Sequence, residues 1–222
     1  MILQRTVWIL AAALLVNMAG CVNAPRKADF TRLRTERPSS ILVVPVINKS
    51  VDVNAPEYFL ATISKPLAER GYYVFPVNMV RSVLADDGLS DAHLVHTGDP
   101  HRLGELFGAD SVMYISIERW DARYVVLSTA VTVELNYSLK STKTGAELWT
   151  NHQLLVYQPH NNNNSGGLAG LLADVIAAAI TKAAPNYVPL AQQANGLAIN
   201  TKGTGLPAGP HDALYLNDTG DF

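Results

Sequence analysis

The sequence predicts an α/β domain: a mixed sheet with an N-terminal βαβ unit and a C-terminal antiparallel meander, its helices packed on the sheet. Three observations carry that expectation. Ile41–Ile47 reads Ile-Leu-Val-Val-Pro-Val-Ile, a short apolar run of the kind buried on both faces of a sheet. Pro56–Arg70 then shows helical spacing and leads into a second run rich in aromatic and β-branched residues. Beyond Val112 the period falls to two, with apolar and polar residues alternating.

Taken in order, Pro45 belongs near the end of the first strand or at a bulge, since it cannot donate to a ladder. In the helix Pro56–Arg70, Phe59, Leu60, Ile63 and Leu67 share a face, Pro56 suits the first turn and Gly71 stops it. Pro66 is expected to kink it. Tyr72–Val77 is the second strand, parallel to the first by the βαβ rule. Asn78–Ala85 is a short helix, and Asp86–Thr97 reads as turn. Asp99 caps a helix from Pro100 to Phe107, ending at Gly108. Val112–Trp120 is a strand, and Tyr124–Leu139 is another with one wet face. On it Val125, Leu127, Val131, Val133, Leu135 and Tyr137 oppose Ser128, Thr132, Glu134, Asn136 and Ser138. Ser141–Gly145 is a hairpin loop and Ala146–Tyr157 its antiparallel return.

Asn161–Gly167 is a low-complexity loop. Leu168–Ala184 carries an apolar stripe of Leu168, Leu171, Leu172, Val175, Ile176, Ala179 and Ile180 on an Ala/Gly-rich helix. Such a helix packs in the core, or serves as a subunit interface or a membrane contact. As an interface its candidates are Leu168, Leu171, Leu172, Val175, Ile176 and Ile180. A further helix covers Tyr187–Ile199. The Gly/Pro-rich tail from Thr201 either wraps the domain through Leu214 and Leu216 or is disordered. The expected division is therefore signal peptide 1–20, tether 21–39, one α/β domain 40–200 and tail 201–222.

The N-terminus has the three parts of a secretory signal: Arg5, an apolar run Val7–Val16, and small residues before the chain's one cysteine. The run is shorter than the roughly 20 residues needed to span a bilayer. Met18-Ala19-Gly20-Cys21 resembles the lipobox of bacterial lipoproteins, with Met where Leu is usual. The resemblance implies cleavage between Gly20 and Cys21, and diacylglycerol and N-acyl lipid on Cys21. Val22 at the second mature position, where Asp is absent, implies sorting to the outer membrane. Cleavage leaves 202 of the 222 residues, enough for one domain. No other cysteine remains for a disulfide in an oxidising compartment.

A net charge of −2 argues against nucleic-acid binding. Arg26–Arg37 is locally basic and reads as a solvated tether or a contact for anionic headgroups. Chemistry is scarce. His93, His96, Asp99 and His101 lie close in sequence, but no second ligand cluster supports a metal. His152 falls on a strand and His160 in the asparagine loop. Gly166-Gly167-x-x-Gly170 precedes a helix without the lysine a phosphate loop needs. Asp86-Asp87 reads as turn. No metalloprotease, serine-hydrolase or nucleotide-binding motif occurs.

The strand Ile41–Pro45, and the later Leu103-Gly104-Glu105-Leu106-Phe107-Gly108-Ala109-Asp110-Ser111-Val112, resemble the domain shared by the curli-secretion lipoprotein CsgG and the N-terminal part of TolB. More closely, the chain is similar to a family of bacterial outer-membrane lipoproteins of unassigned function that includes a genome-derived meningococcal surface antigen. The lipobox, Phe59–Tyr73 and Gly205–Pro210 carry that similarity. It implies a TolB N-terminal or anticodon-binding-domain-like fold and an envelope role, often beside CsgG-like partners, with no catalytic residues and no cofactor beyond the lipid. Tyr124–Leu139 is long enough to cross a bilayer, which takes about 9–11 residues per strand, yet a single domain needs the same face for its core. The expectation is a non-enzymatic, periplasm-facing outer-membrane lipoprotein that assembles with itself or other envelope lipoproteins in transport, secretion or assembly. The alternative is a lipid-anchored ligand-binding or hydrolytic domain with its site near the ends of the Ile41 and Tyr72 strands.

Overall fold

The computed structural model describes residues 28–125, 128–157, 176 and 186–222. The elements are α1 (Thr31–Glu36), β1 (Ser40–Val43), β2 (Ile47–Asn48), α2 (Ala55–Glu69), β3 (Tyr73–Val74), α3 (Val77–Asp86), α4 (Ala92–Thr97), α5 (Pro100–Phe107), β4 (Ser111–Val125), β5 (Ser128–Ser141), β6 (Glu147–Tyr157) and α6 (Val188–Asn200). They form one open, mixed sheet in the order β3-β1-β4-β5-β6, with β2 also on β4. β1 runs parallel to β3 and β4, while β4, β5 and β6 are antiparallel in turn. The expected βαβ unit followed by a meander is the architecture found.

β1 is buried on both faces because its alternate side chains enter two different cores. Ile41 and Val43 join the main core with Phe59, Ile63 and Leu67 of α2, Met113, Ile115 and Ile117 of β4, Val133, Leu135, Tyr137 and Leu139 of β5, and Leu190, Ala194 and Ile199 of α6. Leu42 and Val44 join a smaller core with Val80, Leu84, Val95, Leu103, Val112 and Tyr114. Pro45 splits the first apolar run: β1 ends at Val43 and β2 resumes at Ile47, both paired with β4.

Several boundaries differ from the sequence reading, each for a local reason. β3 is confined to Tyr73–Val74, with Pro76 close behind. The stretch read as turn contains α4, whose Asp91 carboxylate caps His93 N–H. Asp99 caps α5 through His101 N–H as expected, and Gly108 closes it at φ 71°, a left-handed value natural to glycine. Tyr124–Leu139 is not one strand: β4 runs to Val125, and β5 begins at Ser128 paired with it. Val125 therefore belongs to β4, while Leu127 lies outside the described residues. The reversal falls within Tyr124–Thr129, Tyr-Val-Val-Leu-Ser-Thr, which has no Gly, Asn, Asp or Pro to mark it. A bulge at Glu118 shifts the parity of β4, so that Trp120 follows Ile117 into the main core.

The ends of the domain are wider than 40–200. Phe30, Leu33 and Pro38 are buried, so the described part of the expected tether packs on the body. The tail also wraps it, but through Leu206, Pro207, Ala208 and Phe222 rather than Leu214 and Leu216, which stay exposed. Arg70 fixes it: Nε donates to Leu206 O at 2.8 Å, the guanidinium pairs with buried Asp218 at 3.4 Å and stacks over Phe222 at 4.7 Å. Trp149 Nε1 donates to Thr204 O and Gly205 O. These bonds satisfy buried backbone carbonyls that a loose tail would leave to solvent.

Candidate interaction surfaces

Cys21 and Gly20 lie outside the described residues, as do Leu168, Leu171, Leu172, Val175 and Ile180. Of that stripe only Ile176 is described, and it is buried in the main core. Ala28 is where the described chain joins the body: its N–H donates to Gly203 O at 3.0 Å. Cys21 precedes it by seven positions, a length of chain that at about 3.3–3.6 Å per residue spans at most about 25 Å.

The histidines considered as ligands have other tasks or none. His96 Nε2 meets Pro45 O at 2.9 Å and its ring sits edge-on to Tyr114. Burial lowers its pKa, against the opposing effect of the bond to Pro45. His93 and His101 are exposed, and the two caps engage their backbone N–H groups. Among the described residues no three His, Cys, Asp or Glu side chains converge on a metal-sized site.

The Gly108-Ala109-Asp110 segment has a structural role. Gly108 ends α5, Ala109 is buried, and Asp110 accepts from the backbone and hydroxyl of both Ser39 and Ser40, clamping the start of β1 to that of β4. Burial alone would raise the Asp110 pKa; the bonds from Ser39 and Ser40, with Lys143 nearby, outweigh it and hold the carboxyl below its usual value. Thr142 in the hairpin loop donates to Ala109 O at 2.6 Å. Gly104 of α5 faces Thr142 so closely that a Cβ there would lie 2.5 Å from Thr142 Cβ. Only glycine fits.

Among the described residues no helix covers the outer face of the sheet over most of β5 and β6. Glu118 accepts from Lys49, Ser116 and Asn136, and these bonds, Lys49's first, lower its pKa. Glu134 lies between Arg119 and His152, at 3.6 and 3.0 Å. Leu154 and Val156 are exposed on the same side of β6. Where this face meets α4, a trench of about 250 Å³ is lined by His96, Tyr114, Ser116, Asn136, Ser138 and Lys140 among others. The opposite, apolar face of β5 is taken up inside the domain: Tyr137 packs on Phe59, and its hydroxyl donates to Asn195 at 2.8 Å. No described helix is long and apolar enough to cross a membrane.

A second concavity lies between α4, α5 and the loop after α3, lined by Leu89, Leu94, Val95, Leu103 and Leu106 with Asp87, Asp99, Arg102 and Glu105. Sequence reasoning missed it. Its leucines come from three short segments, two of them within the stretch read as turn, and no single periodic stripe joins them.

The family described as "Putative lipoprotein GNA1162-like" matches residues 28–211. A protein named "Putative lipoprotein NMB1124/NMB1162", from Neisseria meningitidis serogroup B, is 36% identical over 167 residues, covering 75% of this chain and 77% of its own. The crystal structure of lipoprotein GNA1162 from Neisseria meningitidis superposes with a TM-score of 0.54 at 35% identity, over 64% of this chain and 96% of that one. A PelC dodecamer structure from Paraburkholderia phytofirmans gives 0.39 at 15% identity, over 54% and 72%. The matched span reaches from the first turn-in at Ala28 to the Arg70-bound tail, and the chain belongs to the GNA1162-like lipoprotein family.

Proposed function

We propose that this protein is a non-enzymatic outer-membrane lipoprotein, lipidated on Cys21 and facing the periplasm, that serves in an envelope transport, secretion or assembly complex with a CsgG-like partner or with itself. The observation that carries this reading is the short leash. A lipobox-like motif precedes by only seven residues the point where Ala28 is bonded into a domain of a lipoprotein family. A domain held within about 25 Å of its lipid works at the membrane surface and not across the periplasm. Its polar outer sheet face and leucine-lined groove remain available for protein contacts.

Crosslinking and co-purification of the full-length protein from its native membranes, with Cys21→Ala as control, tests the reading. Specific envelope partners that disappear in the control are the expected result. Recovery of free monomer alone from the outer membrane would defeat it. A second reading, a lipid-anchored ligand-binding or hydrolytic domain, is favoured by the polar trench beside Pro45 at the carboxyl end of β1. Saturable binding of a periplasmic metabolite, abolished by Ser138→Trp, is the outcome that would promote it.

A further inference from the structure

The groove on the α3–α5 side has a volume of about 530 Å³ and opens outward. Val95 and Leu103 form its buried floor, while Leu94 and Leu106 stand in its walls with 56% and 44% of their surface exposed. Asp87, Asp99 and Glu105 ring it against a single cation, Arg102. Among the described residues none of these four charges has an ion-pair partner. An apolar trough with an unneutralised acidic rim complements a segment of the opposite design.

We propose that this groove docks a basic amphipathic segment of a partner protein, its apolar residues against Leu94, Leu103 and Leu106 and its Lys or Arg side chains against Asp87, Asp99 and Glu105. The binding mode is a helix laid in a groove, with anchors at i, i+3 or i+4 and i+7. Other occupants fit less well. A small ligand calls for enclosure of most of its surface, which an open trough does not give. An anionic lipid surface is repelled by the carboxylates. A second copy's basic stretch, Arg26–Arg37, has its apolar residues Phe30 and Leu33 buried in its own core. The proposal rests on the envelope-complex reading above, and it adds the side of the domain that meets the partner and the partner's chemistry.

The test places a photoreactive phenylalanine analogue at Leu106 of the full-length protein in its native cells, with Thr150 on β6 as the exposed control position. The pair Asp87→Lys and Glu105→Lys reverses the rim. Asp87 is the C-cap of α3 and Glu105 lies in the last turn of α5, where a cation is well tolerated, and the Asp99 cap is left intact. The expected result is an adduct at 106, absent at 150, to an envelope-protein segment with Lys or Arg flanking apolar residues. The reversal reduces it at least tenfold without changing the thermal unfolding midpoint. An adduct to a second copy, to a segment without basic residues, or one insensitive to the reversal overturns the proposal, as does no adduct above the control. Membrane fractionation and the mass of the Cys21 peptide are read in the same cells. Loss of lipidation there would strike at the anchor reading while leaving the groove result to stand or fall separately.

Discussion

On one face of the sheet α2 and α6 pack against each other and cover β1, β4, β5 and β6, sealed at the edges by α1 and the tail. Among the described residues of the other face, α3, α4 and α5 cover β1 and the first part of β4, and only α5 reaches β5, leaving most of β5 and β6 uncovered. The difference extends to the tyrosines that the two faces bury. Tyr137 belongs to a closed polar network: its hydroxyl donates to Asn195, whose amide donates to Thr62 Oγ1 and Phe59 O. The Tyr114 hydroxyl, on the other face, is buried with no hydrogen-bond partner among the described residues, and burial pushes its pKa up to about 12. One face is built for stability. The other leaves Leu94 and Leu106 in water, where the proposed partner segment would sit.

That contrast can be tested, beginning where the largest effect is expected. Phe59→Ala empties the centre of the main core and should lower unfolding free energy by about 3–5 kcal/mol in urea titrations. Leu103→Ala on the thin face should fall near the bottom of the range for Leu→Ala, about 2 kcal/mol, since solvent already reaches its neighbours. Equal losses would mean the two cores are equivalent. Tyr137→Phe leaves Asn195 Oδ1 without its donor and should cost about 1–3 kcal/mol. Tyr114→Phe removes an unpaired hydroxyl, so its midpoint should stay the same or rise; a loss comparable to that of Tyr137→Phe would reveal a hidden partner.

Acid should separate the faces more gently. Asp110 has a depressed pKa, so its contribution is present above the unfolded-state value near 3.8 and is lost as pH falls through the lower folded value. Asp110→Asn should therefore be less stable than the parent at neutral pH, and should lose less further stability when acidified below pH 4. His96 acts higher on the scale. It is neutral in the fold and its pKa lies below the ordinary 6.5, so the unfolded chain takes up the proton first and stability declines as pH drops below about 6.5. Amide exchange in α4 that quickens between pH 7 and 5.5, and no longer does so in His96→Phe, is the expected signature. Unchanged exchange would show that His96 titrates as if in water.

Much of this architecture was legible before any coordinates. Continuous burial at Ile41–Val44 announced a strand between two layers, and the period-two run from Val131 to Leu139 announced one with a dry and a wet side. The caps at Asp99 and Gly108 and the loop ending at Gly145 were readable because each meets a local stereochemical need. The hairpin between β4 and β5 was not, since Tyr124–Thr129 has no Gly, Asn, Asp or Pro to mark a turn, and neither was the Glu118 bulge that moves Trp120 onto the core face. Gly108-Ala109-Asp110 was legible as a helix end leading into a strand, but its purpose, a carboxylate clamp across β1 and β4, depends on Ser39 and Ser40, some seventy residues away.

The sequence by itself determined the fold class, because periodicity, caps and breakers are properties of neighbouring residues, and its motifs pointed to the family. The tertiary structure alone decided which surfaces remain for partners. The tail and the α1 segment have no period to betray them, yet Arg70, Trp149 and Phe30 draw them onto the body through long-range hydrogen bonds and ring contacts. The acid-rimmed groove arises only where three short segments converge. Exposure is set by what packs against a residue, and that is a property of the folded chain, which no window of sequence contains.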